Sequence, residues 1–296
     1  MKSFRRTLFD RLVLARRPSV PTVQMASALL SSLGMVGITV RLASHSPLYR
    51  ANGGELVDLV VDDVLAPHVL ASHQWQSEEV DFLRMHGMRQ PCVLVDVGAN
   101  IGLVTRQLLH QTPQIAAAVC FEPHPQNFHY LRRNLKHLEQ CYLQQTALGP
   151  FEGELVFFED THNIGNYSLN ADAMQGKEHR TSVVRCTKAT MENLVAPLPE
   201  SVRHLPILWK SDTQGFDETI VTMLPDEFWS KVRAGVMEIW RIDRPAFDAH
   251  RLASILREFD VLHFGDSPAL KVSAEDVVRY AEGRDGGSRD LHFARG

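Results

Sequence analysis

Apolar positions along this chain follow two periods, and their alternation predicts a layered α/β fold. Short runs rich in β-branched residues predict strands buried on both faces, and stretches with apolar residues three and four apart predict the helices between them. Val93-Leu94-Val95 is such a run; it ends at Asp96 and gives way to Gly98-Ala99-Asn100-Ile101-Gly102, after which Gly102–His110 has helical spacing. Ile115–Phe121 predicts a second strand, and Pro125 opens a helix over Gln126–Leu138. Leu143–Leu148, Pro206–Ser211 and Gly235–Trp240 predict the third, fourth and fifth core strands, with Val261–Phe264 and Asp290–Ala294 closing the sheet. Glu152–Glu159 and Thr181–Cys186 predict two further strands flanking a polar loop, Asp160–Asn170. Helices are expected at Glu78–Met88 with Ser77 as N-cap, Asp217–Leu224, Ala246–Phe259 and Ala274–Glu282. Glu55–Val61, following the turn signal Asn52-Gly53-Gly54, predicts an edge strand of a hairpin.

A buried strand, a glycine turn and a helix start together predict a nucleotide-type binding corner, with loop amides pointing at the ligand. Which nucleotide is decided by spacing. A pyrophosphate fingerprint needs glycines as G-x-G-x-x-G, and from Gly98 the second and third positions are Asn100 and Leu103. No Gly-Lys-Ser/Thr follows either, so a P-loop is excluded. A ligand without phosphates, S-adenosylmethionine (SAM), fits better. Its ribose needs an acid further on, and the second strand ends at Glu122, whose carboxylate can accept both ribose hydroxyls. The competing reading of Glu122 is a helix N-terminal acid ahead of Pro125.

VDVGANIG is followed by FEPHPQNF (Phe121–Phe128), ALG (Ala147–Gly149) and WKSDTQGFD (Trp209–Asp217), and in this order and spacing the four blocks resemble the FkbM family of SAM-dependent methyltransferases. The resemblance covers about Trp75 to Met237. It implies an α/β, Rossmann-like, seven-stranded class I methyltransferase sheet and O-methylation of a saccharide or another hydroxyl-bearing metabolite. It also implies cofactor contacts at Asp96, Gly98, Ala99, Asn100, Gly102, Glu122, Pro123 and His124, with Thr146 and Ala147 near the adenine. The chain departs from the family where an acidic pair D-x-E-G is usual: it has Asp212-Thr213-Gln214-Gly215, so the second carboxylate is an amide.

Ligands in open α/β sheets bind outside the carboxyl ends of the strands, so Asp96, Glu122 and Asp212 are expected to converge on one crevice. Asp212 is the leading catalytic candidate, to take the acceptor's proton or orient it, with Lys210 as a partner; the competing reading is a distant cap on the following helix. Glu238, an acid inside an apolar run, is the second, because an isolated buried carboxylate loses its hydration. His162 is the third, since an ordinary imidazole titrates near neutral pH, against the plain reading of an exposed loop histidine. The loop Asp160–Asn170 offers hydrogen-bonding groups to a polar acceptor, or is a solvated hairpin tip. Trp75 is either a lid on the cofactor edge or a core residue.

Composition adds little to the fold and more to the setting. The 296 residues suffice for one large core with a small appendage. Four cysteines without any C-x-x-C point to a reducing, cytoplasmic setting and argue against disulfides or a zinc cluster. Residues 1–50 carry eight basic side chains against Asp10 alone, although the whole chain has a net charge of −4. Such an arm suits an anionic surface, a membrane or a polyanionic glycan, or folds back on the acidic body; no nucleic-acid module is recognised. Met25–Val40 is too short and too interrupted by Ser31, Ser32 and Gly34 to span a membrane. It is expected to be a helical appendage, so the chain divides into residues 1–50 and a methyltransferase domain over 51–296, with an interfacial helix, a secretory signal and a presequence as the other readings. Oligomeric state is not legible. The main alternative function is SAM binding without turnover, which Gln214 and the basic arm motivate; a metal held by Asp212 and Glu238 is a lesser variant, and a dehydrogenase shares the fold.

Overall fold

The computed structural model describes residues 37–41, 48, 56–60, 62, 64–244 and 247–296. In chain order the strands are β1 (Gly37–Arg41), β2 (Leu56–Val60), β3 (Cys92–Val97), β4 (Ile115–Phe121), β5 (Cys141–Gln144), β6 (Ala147–Gly149), β7 (Gly153–Asp160), β8 (Tyr167–Ser168), β9 (His179–Lys188), β10 (Ile207–Ser211), β11 (Val232–Trp240), β12 (Val261–Phe264) and β13 (Ser288–Ala294). The α-helices are α1 (Leu65–Ser72), α2 (Ser77–Gly87), α3 (Leu103–Gln111), α4 (Pro125–Leu135), α5 (Met191–Val195), α6 (Asp217–Met223), α7 (Asp226–Lys231), α8 (Ala249–Leu256) and α9 (Ala274–Ala281).

Seven strands form the main sheet in the order β12-β13-β11-β10-β3-β4-β5. The run from β11 to β5 is parallel, and β13 enters antiparallel between β11 and β12. This is the Rossmann-like, seven-stranded class I methyltransferase sheet, with its order reversing between β3 and β10. Every residue of β3 and β10 is buried, as expected for central strands covered on both faces. Beneath β10 the rings of Trp209, Phe228 and Trp229 meet edge to face with centroids 5.3–5.5 Å apart, and Phe293 of β13 extends the cluster.

The expected third strand Leu143–Leu148 is two strands. Cys141–Gln144 closes the main sheet, and after Gln145 and Thr146 the chain leaves it, so Ala147–Gly149 pairs with β9 instead. The break falls within the polar stretch Gln144-Gln145-Thr146, which the prediction ran through as one strand. β6, β9, β7 and β8 make a second, four-stranded sheet, whose Leu148, Phe157 and Tyr167 line the same cavity as the carboxyl ends of β3, β4 and β10. Ser77 does not cap α2; it is the first residue of that helix, and the N-cap is Gln76 at φ 45° with no side-chain cap bond. β3 runs one residue past Asp96, burying that acid completely.

The described part of the N-terminal region differs from the helical expectation: Gly37–Arg41 is a strand paired antiparallel with β2. The expected division at residue 50 therefore falls between two strands that hydrogen-bond each other. Most of Met25–Val40 and of the basic arm lies outside the described residues. The Asn134 side chain holds β2 to the core like a neighbouring strand, accepting from Asp58 N at 2.7 Å and donating to Asp58 O at 2.9 Å. Arg106, fully buried, donates to Leu48 O at 2.7 Å. Among the described residues no helix is long and apolar enough to cross a membrane.

Candidate active site

The carboxyl ends of β3, β4 and β10 open into a cavity lined by Val97 and Gly98, Phe121 and Glu122, and Lys210 and Asp212. Gly98, at φ 73°, is required there by packing, because a Cβ would stand 2.0 Å from the Asp212 carbonyl oxygen. The expectation that turn amides point at the ligand is corrected. Gly98 N and Ala99 N both donate to Phe121 O at 3.0 and 2.9 Å, Gly102 N donates to Ala99 O at 2.8 Å, and Asn100 N donates to a Glu122 carboxylate oxygen at 2.9 Å. These donors are consumed inside the protein, so the turn presents no row of them to a pyrophosphate.

Glu122 is only 4% exposed and lines the cavity. Asn100 N–H holds its Oε2 and His124 N–H, at 2.8 Å, holds its Oε1, so each oxygen is fixed and keeps a lone pair for a ligand. Burial pushes its pKa up to about 7, against the two amides and the Lys210 ammonium, which favour the charged form. Ala99, Asn100, Pro123, Thr146 and Ala147 line the cavity as expected. The Thr146 hydroxyl is engaged by Arg185 O and Thr187 Oγ1, which ties this wall to the second sheet.

Three expected cofactor residues are placed elsewhere. Asp96 lies beneath the turn, accepting from Thr105 Oγ1 at 2.6 Å and facing Lys210 Nζ at 3.3 Å from the paired position of β10. Lys210 therefore partners Asp96, not Asp212, and donates to Gly98 O at 3.0 Å, so Asp96 acts on the turn through Lys210. Gly102 packs under Leu131 and Leu135 of α4 rather than facing the cavity. His124 is buried behind the wall with Nε2 3.3 Å from Glu159 Oε1.

At the other end of the cavity Asp212 sits just past β10, clear of the helix-capping role: it is Asp217 that accepts from Thr213 N. Two amides hold Asp212. Gln76 Nε2 donates to Oδ2 at 2.8 Å and Gln214 Nε2 to Oδ1 at 2.6 Å, and Gln214 Nε2 also donates to Glu238 Oε2 at 3.1 Å. Gln76 and Gln214 both adopt left-handed backbone, at φ 45° and 56°, a conformation that costs a non-glycine residue about 1–3 kcal/mol and clusters at functional sites. Burial, with Asp212 and Asp217 nearby, drives the Glu238 pKa well above the carboxylate range. Asp290, opposite Glu238 in the β11–β13 ladder, is pushed to about 8 by burial and by Asp212 and Glu79. Among the described residues no group of three or more His, Cys, Asp or Glu side chains is arranged to hold a metal ion.

His162 is not brought to the site. Its side chain is 64% exposed, 3.6 Å from Glu178. The loop around it spends its polar groups on itself and on the β10 turn: Asp160 accepts from His162 N and Asn163 N, and Ser168 Oγ donates to Gln214 O at 2.6 Å. Ile164, Gly165, Tyr167 and Leu169 of this loop face the cavity instead. Trp75 lines the cavity edge, its backbone N and O both bonded to the Gln107 side chain. Sequence reasoning missed Gln76, whose only signal is its place beside Trp75, and Asn127, a polar residue in the first turn of α4 that also lines the cavity. Asn100 Oδ1 is buried without a partner, and with Glu122 it fits the polar groups of an adenosine ligand such as SAM, whereas the Asn127 side chain is engaged by the His124 ring.

No protein-family model and no curated protein matches the chain. Solved structures similar to it include a methyltransferase FkbM from Methylobacillus flagellatus KT, with a TM-score of 0.41 and 11% identity over 77% of this chain and 52% of that one. Precorrin-6y C5,15-methyltransferase from Geobacter metallireducens GS-15 gives a TM-score of 0.35 and 12% identity, covering 74% and 88%. The 23S rRNA methyltransferase ErmE gives 0.35 and 10%, covering 75% and 69%. The acceptors in these names belong to those proteins.

Proposed function

We propose that the chain is a SAM-dependent O-methyltransferase acting on a hydroxyl of a saccharide or another polar metabolite. One observation carries the cofactor: Glu122 faces the cavity with both oxygens anchored by backbone amides, beside a turn whose donors at Gly98, Ala99, Asn100 and Gly102 are already taken. A ribose can be bound there, and a pyrophosphate finds little to bind. Calorimetric titration with SAM, S-adenosylhomocysteine (SAH) and NAD tests this. Binding of SAM and SAH without NAD is expected; binding of NAD alone would reassign the cleft.

When bound, SAM supplies an electrophilic methyl group on a sulfonium. Glu122 would hold the ribose, and Pro123, Thr146 and Ala147, which line the same cavity, would flank the base. Asp212 faces the acceptor, and each of its oxygens, though held by one glutamine amide, keeps a lone pair for an incoming hydroxyl. In the transfer Asp212 would take the proton of the acceptor hydroxyl as its oxygen forms the new C–O bond, the S–CH3 bond of the sulfonium breaks and SAH leaves. Alignment of the oxygen at about 3 Å is the larger contribution, which a carboxylate clamped from both sides favours. Glu238 is one amide further away and acts on Asp212 through Gln214.

The amide at position 214 also bears on the alternative of a binding protein without turnover. Its NH₂ group bridges two carboxylates, whereas a third carboxylate there would add repulsion, so Gln214 supports an assembled Asp212 rather than a lost one.

A further inference from the structure

We propose that Glu79 and Asp290 are positioning residues for Asp212: one proton shared between their carboxyl groups fixes the start of α2 and, with it, the Gln76 amide that holds Asp212. This rests on the reading of Asp212 as the group that meets the acceptor. Gln76 is the N-cap of α2, in left-handed backbone and without a side-chain cap bond; its amide donates to Asp212 Oδ2 at 2.8 Å instead. Glu79 lies three residues on, one turn along the same face, and its side chain is hydrogen-bonded to that of Asp290 on β13. Asp290 stands opposite Glu238 in the β11–β13 ladder, Glu238 Oε2 accepts from Gln214 Nε2 at 3.1 Å, and Gln214 Nε2 donates to Asp212 Oδ1 at 2.6 Å. The contacts close a ring around Asp212, and Glu79 with Asp290 is the link in it where two acids meet directly.

The plain reading of Glu79 is a first-turn acid that favours the helix dipole, which needs it ionised. The contact with Asp290 requires otherwise. Two ionised carboxylates offer only acceptor oxygens, so a hydrogen bond between them needs one proton. The charged groups about the pair favour keeping it: Glu78 on α2, Asp212 beyond β10, Asp217 on α6 and Glu238 on β11 are all acids. Burial and these charges raise the pKa of both partners, that of Asp290 to about 8. The ordinary value for Asp is 3.8, so the folded chain keeps a proton that the unfolded chain has released, and the stability the pair adds declines as pH rises from about 4 to about 8. Above that range both acids ionise and repel, and α2 loses the tie that keeps Gln76 on Asp212.

The test is NMR titration of the full chain from about pH 5 to about pH 10, with 13C at the Asp and Glu carboxyls and 15N at the Gln side-chain amides. A shared step with its midpoint near pH 8 is expected at Glu79 and Asp290, assigned by its loss in Asp290→Asn, and the Gln76 Nε2 resonance should move through the same midpoint. Asp290→Asn supplies a donor without a titrating proton, so Gln76 should keep its wild-type low-pH position throughout. Glu79→Gln carries the same expectation should that variant not fold. Asp290→Ala should leave Gln76 in its high-pH position at every pH. Midpoints near pH 4 for both acids overturn the shared proton. A Gln76 resonance that ignores the step, or that still moves in Asp290→Asn, overturns the positioning role. Calorimetric titration with SAH at pH 6 separates this from the cofactor reading: wild type and Asp290→Asn should bind it equally, and failure of both to bind overturns the SAM site while the carboxyl titration still decides the pair.

Discussion

The two ends of the cleft are built by opposite means. At the cofactor end a single acid is fixed by backbone: Glu122 takes its geometry from Asn100 N–H and His124 N–H, groups within a few residues of the cavity-forming turns. At the acceptor end the geometry comes from side chains far apart in sequence, with Gln76, Asp212, Gln214 and Glu238 linked through amide hydrogens. Backbone-built sites tolerate little change in chain path and much change in neighbouring side chains; side-chain-built sites behave in the reverse way. The comparison teaches that binding and chemistry can be separated by substitution here.

The largest expected effect lies at the acceptor end. Asp212→Ala should lower methyl transfer by at least about a hundredfold, the scale of a lost general base, while SAH affinity stays within about threefold. Parallel rate and titration measurements check this, and a variant with normal turnover would remove Asp212 from the chemistry. Next is Glu122→Gln, expected to weaken SAH about a hundredfold, since a carboxylate accepting two hydroxyls is replaced by a neutral amide. Stability should move the other way. The folded pKa of about 7 exceeds the ordinary 4.5, so the folded protein binds more protons than the unfolded chain between those values, and wild-type stability falls as pH rises through that window. Denaturant titrations should therefore show the variant gaining roughly 1–3 kcal/mol on the wild type between pH 5 and pH 8. A constant difference across that range would mean that Glu122 is not buried as described.

How much was legible from the sequence follows the same division. The turn Gly98–Gly102 and the acid Glu122 were readable because strand, glycine spacing and acid are local patterns. The succession of core strands along the chain was readable from alternating periods, whereas the seven-stranded sheet was implied by the family resemblance and the lateral order of its strands comes from their pairing. Asp96 was misplaced because a run of apolar letters does not show that the strand continues through an acid when Thr105 and Lys210 satisfy it from other elements. The split of Leu143–Leu148 escaped because the polar Gln144-Gln145-Thr146 is as compatible with one half-exposed strand as with a break, and only pairing with β9 separates the two. Gln76 could not be found, since its contact with Asp212 spans 136 positions and no period encodes it.

Gln214→Glu sharpens the comparison with a smaller effect. It restores the acidic pair usual in the resembling family and places a third carboxylate between Asp212 and Glu238, where Gln214 now donates to both. A carboxylate ionising there meets two acids and burial, so its folded pKa should rise, and stability should be lost as pH climbs above the ordinary carboxylate range. The variant should match the wild type near pH 5 and fall about 1–3 kcal/mol below it at pH 8 in denaturant titrations. Equal stability at both pH values would show that the acceptor end is more solvated than its hydrogen bonds imply. SAH affinity should be unchanged, because position 214 does not line the cavity.

The smallest expected effect separates the roof of the cleft from its walls. His162 lies on the same loop as Ile164, Gly165 and Tyr167, which face the cavity, yet its own side chain is turned outward toward Glu178, itself largely exposed. An exposed ion pair at 3.6 Å contributes at most about 1 kcal/mol, and it is screened by salt. The loop's conformation rests instead on Asp160 accepting from His162 N and Asn163 N, bonds that the backbone makes whatever side chain follows. His162→Ala should therefore shift stability by less than about 0.5 kcal/mol and leave SAH affinity and the pH profile of methyl transfer unaltered. Asp160→Ala, which removes the acceptor those two amides share, should loosen the roof and weaken SAH severalfold. If His162→Ala were the more damaging of the two, the imidazole would have to reach the acceptor through a rearranged loop, and the roof would belong to the chemistry rather than to binding.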